Sequence, residues 1–167
     1  MDRLWAPWRM KYILSGDETA DECIFCSFPA QGKEHQREHL ILYADPRAFV
    51  MMNKYPYANA HLMVIPRAHA AAPAALSTAD WQASADLLSR SIVALGEAVK
   101  PQGYNVGMNL GRVAGAGIDQ HLHWHIVPRW NGDTNYMPVL ADTKVISEGL
   151  EDTYERLRPH FEKLAPK

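Results

Sequence analysis

His121, His123 and His125 recur at spacing two in this 167-residue chain, alternating with the apolar Leu122, Trp124 and Ile126. A period of two places the imidazoles on one face of a β-strand and the apolar side chains on the other. A row of imidazoles offers nucleophiles, proton carriers and phosphate-binding donors near neutral pH. Metal binding is one chemistry open to it, as in zinc sites built from three histidines. Strand geometry limits that use, because residues i and i+4 lie about 13 Å apart while zinc–nitrogen bonds are ~2 Å. At most one or two of the three can serve a single ion. The other chemistry is covalent catalysis at phosphorus. A neutral imidazole takes an α-phosphate as a phosphoramidate while its neighbours manage charge and protons. This uses the whole row without convergence. The preceding loop agrees with it, since Gly111, Gly115 and Gly117 let backbone N–H groups approach phosphate oxygens. Arg112 and Arg129 flank the row as possible counter-charges.

The elements that must position this row read as α+β. Strands are expected at 39–44, 47–53 and 61–65, with Asp45-Pro46 and the 56–59 stretch as turns. An alanine-rich connector at 68–75 leads into the clearest helix. Ser77 caps it with Asp80 three residues on, Trp81, Leu88, Ile92, Leu95 and Val99 recur at helical spacing, and Pro101 and Gly103 end it. A strand at 104–110, the glycine-rich loop at 111–117 and the histidine strand at 121–128 follow. A C-terminal helix is expected over 147–164 with a break at Pro159. Residues 15–39 read as polar loop, interrupted by the apolar Cys23-Ile24-Phe25-Cys26 patch, and residues 1–14 as an ordered arm of aromatics with Arg3, Arg9 and Lys11. Successive strands, one long helix and two further strands imply an antiparallel sheet of about five strands.

Composition sets the outer bounds. The length suits one domain with a full core, and 47% hydrophobic with 22% charged residues is ordinary for a globular chain. A formal net charge of −2 argues against a nucleic-acid or acidic-membrane partner, while leaving room for a local basic pocket. No apolar stretch approaches the roughly 20 residues of a membrane span, and the charged N-terminus lacks the apolar centre of a signal peptide. A cytoplasmic location is expected. The two cysteines cannot make a disulfide framework, and in a reducing compartment Cys23-x-x-Cys26 suggests metal or redox work. The pair supplies half of a four-ligand structural zinc site. Two unliganded thiols are the competing reading, and no thioredoxin-like unit is apparent to support redox work.

The run His121-Leu-His123-Trp-His125-Ile-Val resembles the signature of the histidine triad family. Asn53 with His61-Leu-Met-Val-Ile-Pro-Arg-Ala-His69 resembles that family's second signature strand, and Asn109-Leu-Gly the segment before its phosphate loop. The resemblance implies a small α+β domain over the whole chain, with an arm at 1–38, a core at 39–130 and an extension at 131–167. It also implies a homodimer that hydrolyses or transfers nucleotides. By resemblance, His123 is the nucleophile that takes the nucleoside monophosphate. His125 bonds the phosphate or leaving group, and His121 and His61 support the triad. Asn53 holds ribose hydroxyls, and Asn109 and the backbone at Gly117 contact phosphate. Many members carry a hydroxyl or amide shortly before the first triad histidine; Gly117-Ile118-Asp119-Gln120 has no clear match.

The arm 3–12 and the ending Pro128-Arg129-Trp130-Asn131-Gly132-Asp133 resemble bacterial diadenosine tetraphosphate phosphorylases of this family. In those enzymes inorganic phosphate, rather than water, releases the nucleotide as a diphosphate. Trp130 would then lie near an adenine nucleotide or dinucleoside polyphosphate substrate. The alternatives are a purine nucleoside phosphoramidate or dinucleotide hydrolase, and a zinc-stabilised nucleotide-binding or interaction module with little turnover. Some family members complete a structural zinc site with the histidine ending the second signature segment and the first triad histidine. That resemblance assigns zinc to Cys23, Cys26, His69 and His121, with His35 and His39 as substitutes.

Overall fold

The computed structural model describes residues 22–134 and 146–164; the arm at 1–14 lies outside them. Strands β1 (Ile41–Ala44), β2 (Ala48–Met52), β3 (Leu62–Pro66), β4 (Gly103–Gly107) and β5 (Trp124–Arg129) form one antiparallel sheet in the order β1-β2-β3-β5-β4. The turn after β1 is built as its sequence suggests. Asp45 Oδ1 accepts the N–H groups of Arg47 and Ala48, at 2.9 and 2.8 Å, and so closes the hairpin into β2.

Every residue of β2 and β3 is buried, because both faces of the sheet are covered. On one face Val50, Met52, Leu62, Val64 and Ile126 pack against two helices, α2 (Thr78–Val99) and α3 (Leu150–Phe161). On the other face Ile41, Phe49, Met51, Met63 and Ile65 form a second cluster with Phe25. Phe25 comes from α1 (Ile24–Ala30), a short helix where a loop is expected from the sequence. Seven residues containing Pro29 give no readable helical period, and α1 owes its stability to burying Phe25.

Ser77 caps α2 as read, its hydroxyl accepting the Asp80 N–H. The buried stripe is rotated from the one expected. Ser84, Leu87, Ser91, Ala94 and Leu95 face the sheet, while Leu88, Ile92 and Val99 flank it half-buried. The serine hydroxyls can enter this contact because they donate to the Trp81 and Leu87 carbonyls, at 2.8 and 2.7 Å. Lys100 ends the helix with φ of 47°, immediately before Pro101. In α3 the expected break at Pro159 does not occur, because the proline falls in the last turn and the helix runs to Phe161. Tyr154, Leu157 and Phe161 seat α3, and the Tyr154 hydroxyl donates to the Ile41 carbonyl at 3.0 Å.

The histidine row differs from the simple strand expected. Strand β5 begins at Trp124, and His121 to His123 precede it. Pro66, at the end of β3, has no N–H to extend the ladder. The chain instead turns toward the connector after β3, where the Leu122 N–H donates to the Ala70 carbonyl at 2.7 Å.

Candidate active site

His125 is fixed by register. It pairs with Met63 on β3 and Gly107 on β4, so it faces the Phe25 side of the sheet, while Trp124 and Ile126 face α2 and α3. A Cβ added at Gly107 would meet nothing within 4 Å, which leaves open space beside the imidazole. His61 approaches from the residue before β3. Ala60 ahead of it is buried with φ of 56°, a left-handed conformation that costs a non-glycine residue about 1 kcal/mol and turns the chain sharply into His61.

Hydrogen bonds define a tautomer at each ring. The Tyr57 N–H donates to His61 Nδ1 at 3.0 Å, so neutral His61 carries its proton on Nε2. That Nε2–H donates to His125 Nδ1 at 2.9 Å, which leaves the His125 proton on Nε2. His125 Nε2 is buried and without a partner among the described residues. A buried donor left open in this way fits an incoming anionic oxygen. His123 is oriented in the opposite sense. Its Nδ1–H donates to the His121 carbonyl at 2.9 Å, so its Nε2 holds a lone pair. The His123 and His125 rings lie 4.8 Å apart, edge to face. A nucleophilic lone pair and a hydrogen-bond donor therefore stand side by side on one buried surface, an arrangement suited to phosphoryl chemistry.

Burial lowers the pKa of His123, opposed by its bond to the His121 carbonyl, and so keeps the ring uncharged. Burial, then the neighbouring His123, pushes His125 from the ordinary 6.5 to about 4. Because the folded value is depressed, the unfolded chain binds the additional proton between these pH values. Stability from this group is fully present above about 6.5 and is lost as pH falls to about 4. A depression from 6.5 to about 4 corresponds to roughly 3 kcal/mol. Urea melts of wild type and His125→Gln should differ by an amount that shifts in favour of wild type as pH rises through this window and against it as pH falls. A pH-independent difference would contradict the assignment.

A second cluster adjoins the first. His121 Nε2–H donates to the Pro66 carbonyl at 2.8 Å, turning Nδ1 toward Cys23 Sγ at 3.3 Å and Cys26 Sγ at 3.6 Å. His69 Nδ1 lies 3.4 Å from Cys26 Sγ, and all four ligand atoms fall within 4.8 Å of one another. Ligand–ligand edges of about 3.3–3.8 Å are what a tetrahedral Cys₂His₂ ion requires. Burial, then the neighbouring Cys23, raises the Cys26 thiol, so close sulfurs are better accommodated as thiolates around a cation. These four residues could hold a metal ion. His35 and His39 are elsewhere: His35 contacts Glu38, and His39 bonds Gln31 and stacks on Phe28.

Of the other expected contributors, Asn53 adjoins the triad, its N–H donating to the His61 carbonyl at 2.9 Å. Asn53 lies at the end of β2, where its Oδ1 accepts the Tyr55 N–H at 2.8 Å and shapes the turn toward His61. Asn109 follows β4, with its amide near Gly115. Gly111 and Gly115 adopt φ of 81° and 93°, whereas Gly117 is not in the left-handed region. Trp130 follows the far end of β5, seven residues and about 20 Å along an extended chain from His123. The expected counter-charges are engaged too. Arg129 bonds Asp133 through two nitrogens and also Asn105, holding the Asp133 carboxyl well below the usual range. Arg112 pairs with Asp119 at 3.0 Å. Two aromatic rings not anticipated from the sequence touch the histidines. Phe25 lies 5.1 Å from His123, and Tyr57 lies 4.7 Å from His61 and 5.8 Å from His125. The position of Phe25 between the two cysteines was the available signal for the first.

A five-stranded antiparallel sheet carrying this histidine constellation defines a histidine triad protein. The HIT domain model matches residues 34–132, and the chain belongs to the HIT family. Among its relatives, an AP-4-A phosphorylase of Mycobacterium tuberculosis is 34% identical over 161 residues, 92% of this chain and 80% of that protein. A histidine triad nucleotide-binding protein of Sulfolobus tokodaii superposes with a TM-score of 0.67 at 28% identity, covering 85% of this chain and 93% of its own. A Zn-bound histidine triad protein of Mycobacterium smegmatis shares the fold, with a TM-score of 0.66 at 23% identity, over 86% of this chain and 95% of its own.

Proposed function

We propose that this protein is a dinucleoside polyphosphate phosphorylase that transfers a nucleoside monophosphate to inorganic phosphate through a nucleotidyl-His123 intermediate. The observation that carries this reading is the pairing of the His123 Nε2 lone pair with the open His125 Nε2–H. The likeness to the M. tuberculosis AP-4-A phosphorylase supports the substrate class. His123 Nε2 attacks the α-phosphorus, forming the N–P bond as the bond to the polyphosphate oxygen breaks. With diadenosine tetraphosphate, ATP departs as an anion that needs no proton. The His125 Nε2–H steadies the charge on the transferring oxygens, and the His121 carbonyl accepts from the Nδ1–H of the now cationic His123. A phosphate oxygen then attacks phosphorus, the N–P bond breaks, and ADP leaves with His123 restored. Asn53 would hold ribose hydroxyls, with Asn109 and the Gly117 backbone on phosphate. Trp130 would lie near the substrate, away from the reacting phosphorus.

Zinc is the proposed occupant of Cys23, Cys26, His69 and His121. A Cys₂His₂ set with no open position suits a structural ion, and the Zn-bound M. smegmatis relative supports the choice. The ion would tie α1 and the connector after β3 to His121. A homodimer is proposed as well, since β4 is an edge strand that exposes Val106. A cytoplasmic location agrees with two free cysteines. Among the described residues no helix is long and apolar enough to cross a membrane.

Product analysis tests the reaction. Incubated with diadenosine tetraphosphate and phosphate, the protein should form ADP and ATP in equal amounts, with ADP dependent on phosphate. AMP with ATP regardless of phosphate would indicate a hydrolase. No turnover of any nucleotide would leave a binding module.

A further inference from the structure

We propose that Cys23 and Cys26 form a reversible oxidation site, at which a peroxide joins the two sulfurs as a disulfide, frees the metal ion and so slows nucleotidyl transfer. The proposal rests on the metal reading of this cluster given above. The local backbone suits the bond. The Cys26 N–H donates to the Cys23 carbonyl at 2.9 Å, and a turn closed in this way keeps its end Cα atoms within about 7 Å. A disulfide spans Cα atoms about 4.4–6.8 Å apart. The two sulfurs already lie within 4.8 Å of each other, so side-chain rotation brings them to the ~2 Å bond without moving the helix. Both cysteines are half-buried, within reach of a small oxidant, and the chain has no other cysteine to compete.

The disulfide and the metal ion hold different parts of the chain. The disulfide closes a ring inside one turn and joins nothing distant. The ion would link Cys23 to His121, 98 residues on, and Cys26 to His69, 43 residues on. Oxidation leaves His69 and His121 as two of the four ligands a structural ion needs. It therefore unties α1 from the connector after β3 and from His121, while the turn itself stays closed. Two contacts carry that loss to the reacting centre. The His121 carbonyl accepts the Nδ1–H of His123 at 2.9 Å. Phe25, between the cysteines, lies against both rings, 5.5 Å from His121 and 5.1 Å from His123. The chemistry balances with the peroxide as oxidant. One thiolate attacks a peroxide oxygen, the O–O bond breaks, and a sulfenic acid forms as hydroxide leaves. The second thiolate attacks that sulfur and displaces another hydroxide. Two electrons pass from the sulfurs to the peroxide oxygens, and two protons from solvent turn the hydroxides into water.

The test treats zinc-loaded wild type with a slight excess of hydrogen peroxide. Zinc release is followed with a chromogenic chelator, and the protein is examined by peptide mapping under non-reducing conditions. About one zinc ion per chain should appear, together with a peptide in which Cys23 and Cys26 are joined with the loss of two hydrogens. Turnover of diadenosine tetraphosphate should fall about 10–100-fold in step with zinc release. A dithiol reductant with added zinc should restore both the ion and the rate. Methionine sulfoxide does not revert under a dithiol, so recovery assigns the loss to the cysteines. Zinc retained at peroxide levels that fully oxidise a free thiol would overturn the proposal. So would zinc release with the cysteines carried to sulfinic or sulfonic acids and no disulfide, or disulfide formation with turnover unchanged. Protein that takes up no zinc when supplied with it would remove the metal reading, and the proposal with it, a failure visible before any oxidant is added.

Discussion

His123→Ala should lower turnover by about 10⁴-fold or more while leaving nucleotide affinity nearly unchanged. The reason lies in how the ring is held. Its Nδ1–H is committed to the His121 carbonyl, so Nε2 is the atom with a free lone pair, and burial keeps that lone pair unprotonated. Neither His125 nor His61 can replace it. His125 presents a proton rather than a lone pair, and His61 is engaged through both of its nitrogens. Alanine removes the proposed nucleophile and little of the proposed binding surface, since the contacts assigned to Asn53, Asn109 and the loop backbone would remain. Titration calorimetry with a non-hydrolysable dinucleotide should therefore report a dissociation constant close to that of wild type. Turnover within tenfold of wild type would show that another group attacks phosphorus. His123→Gln provides a check on packing, because it keeps a polar side chain of similar reach and should be as inactive as alanine.

Loss of the metal ligands is expected to have the second-largest effect, and it should act on stability and catalysis together. Cys23 precedes α1 and Cys26 lies in its first turn, and Phe25 between them fills the second cluster against Phe49, Met51, Met63 and Ile65. Releasing the clip frees this helix from the sheet. The residue that would ligate through Nδ1, His121, also supplies the carbonyl that holds His123. Cys23→Ser, or removal of metal by a strong chelator, should cost roughly 3–5 kcal/mol and lower Tm by on the order of 10 °C. Turnover should fall about 10–100-fold, the usual penalty when a supporting partner of a site is disturbed. Differential scanning calorimetry beside elemental analysis checks both parts. Metal-free wild type that melts with the untreated protein would argue that the four side chains are only a thiol–imidazole cluster.

How much of this was legible in the sequence depended on whether the cause was local. The alternation around His123 is local, and it correctly separated the imidazole face from the face that carries Trp124 and Ile126. The Ser77 cap is equally local, needing only Asp80 three residues on. The start of β5 was not legible, because it is set by Pro66 on a neighbouring strand, which cannot donate to the ladder. Helix α1 was hidden for a related reason. Its seven residues have no stable period of their own, and its position follows from Phe25 finding a pocket across the sheet. The buried stripe of α2 was misjudged because Ser84 and Ser91 satisfy their hydroxyls within the helix and can then be buried. Arg129 looked like a counter-charge for phosphate, yet Asp133 four residues later occupies it. The relay from Tyr57 through His61 to His125 joins residues up to 68 apart, and no spacing rule connects them.

The most direct test of the account is to look for the covalent intermediate. Protein mixed with diadenosine tetraphosphate in the absence of phosphate, quenched within the first turnover and digested under alkaline conditions, should yield a peptide containing His123 that carries one added adenylyl group. That adduct should be acid-labile and should disappear, with ADP formed, when phosphate is added before the quench. Turnover of the dinucleotide with no adduct on His123 at any time would contradict a nucleotidyl-histidine mechanism.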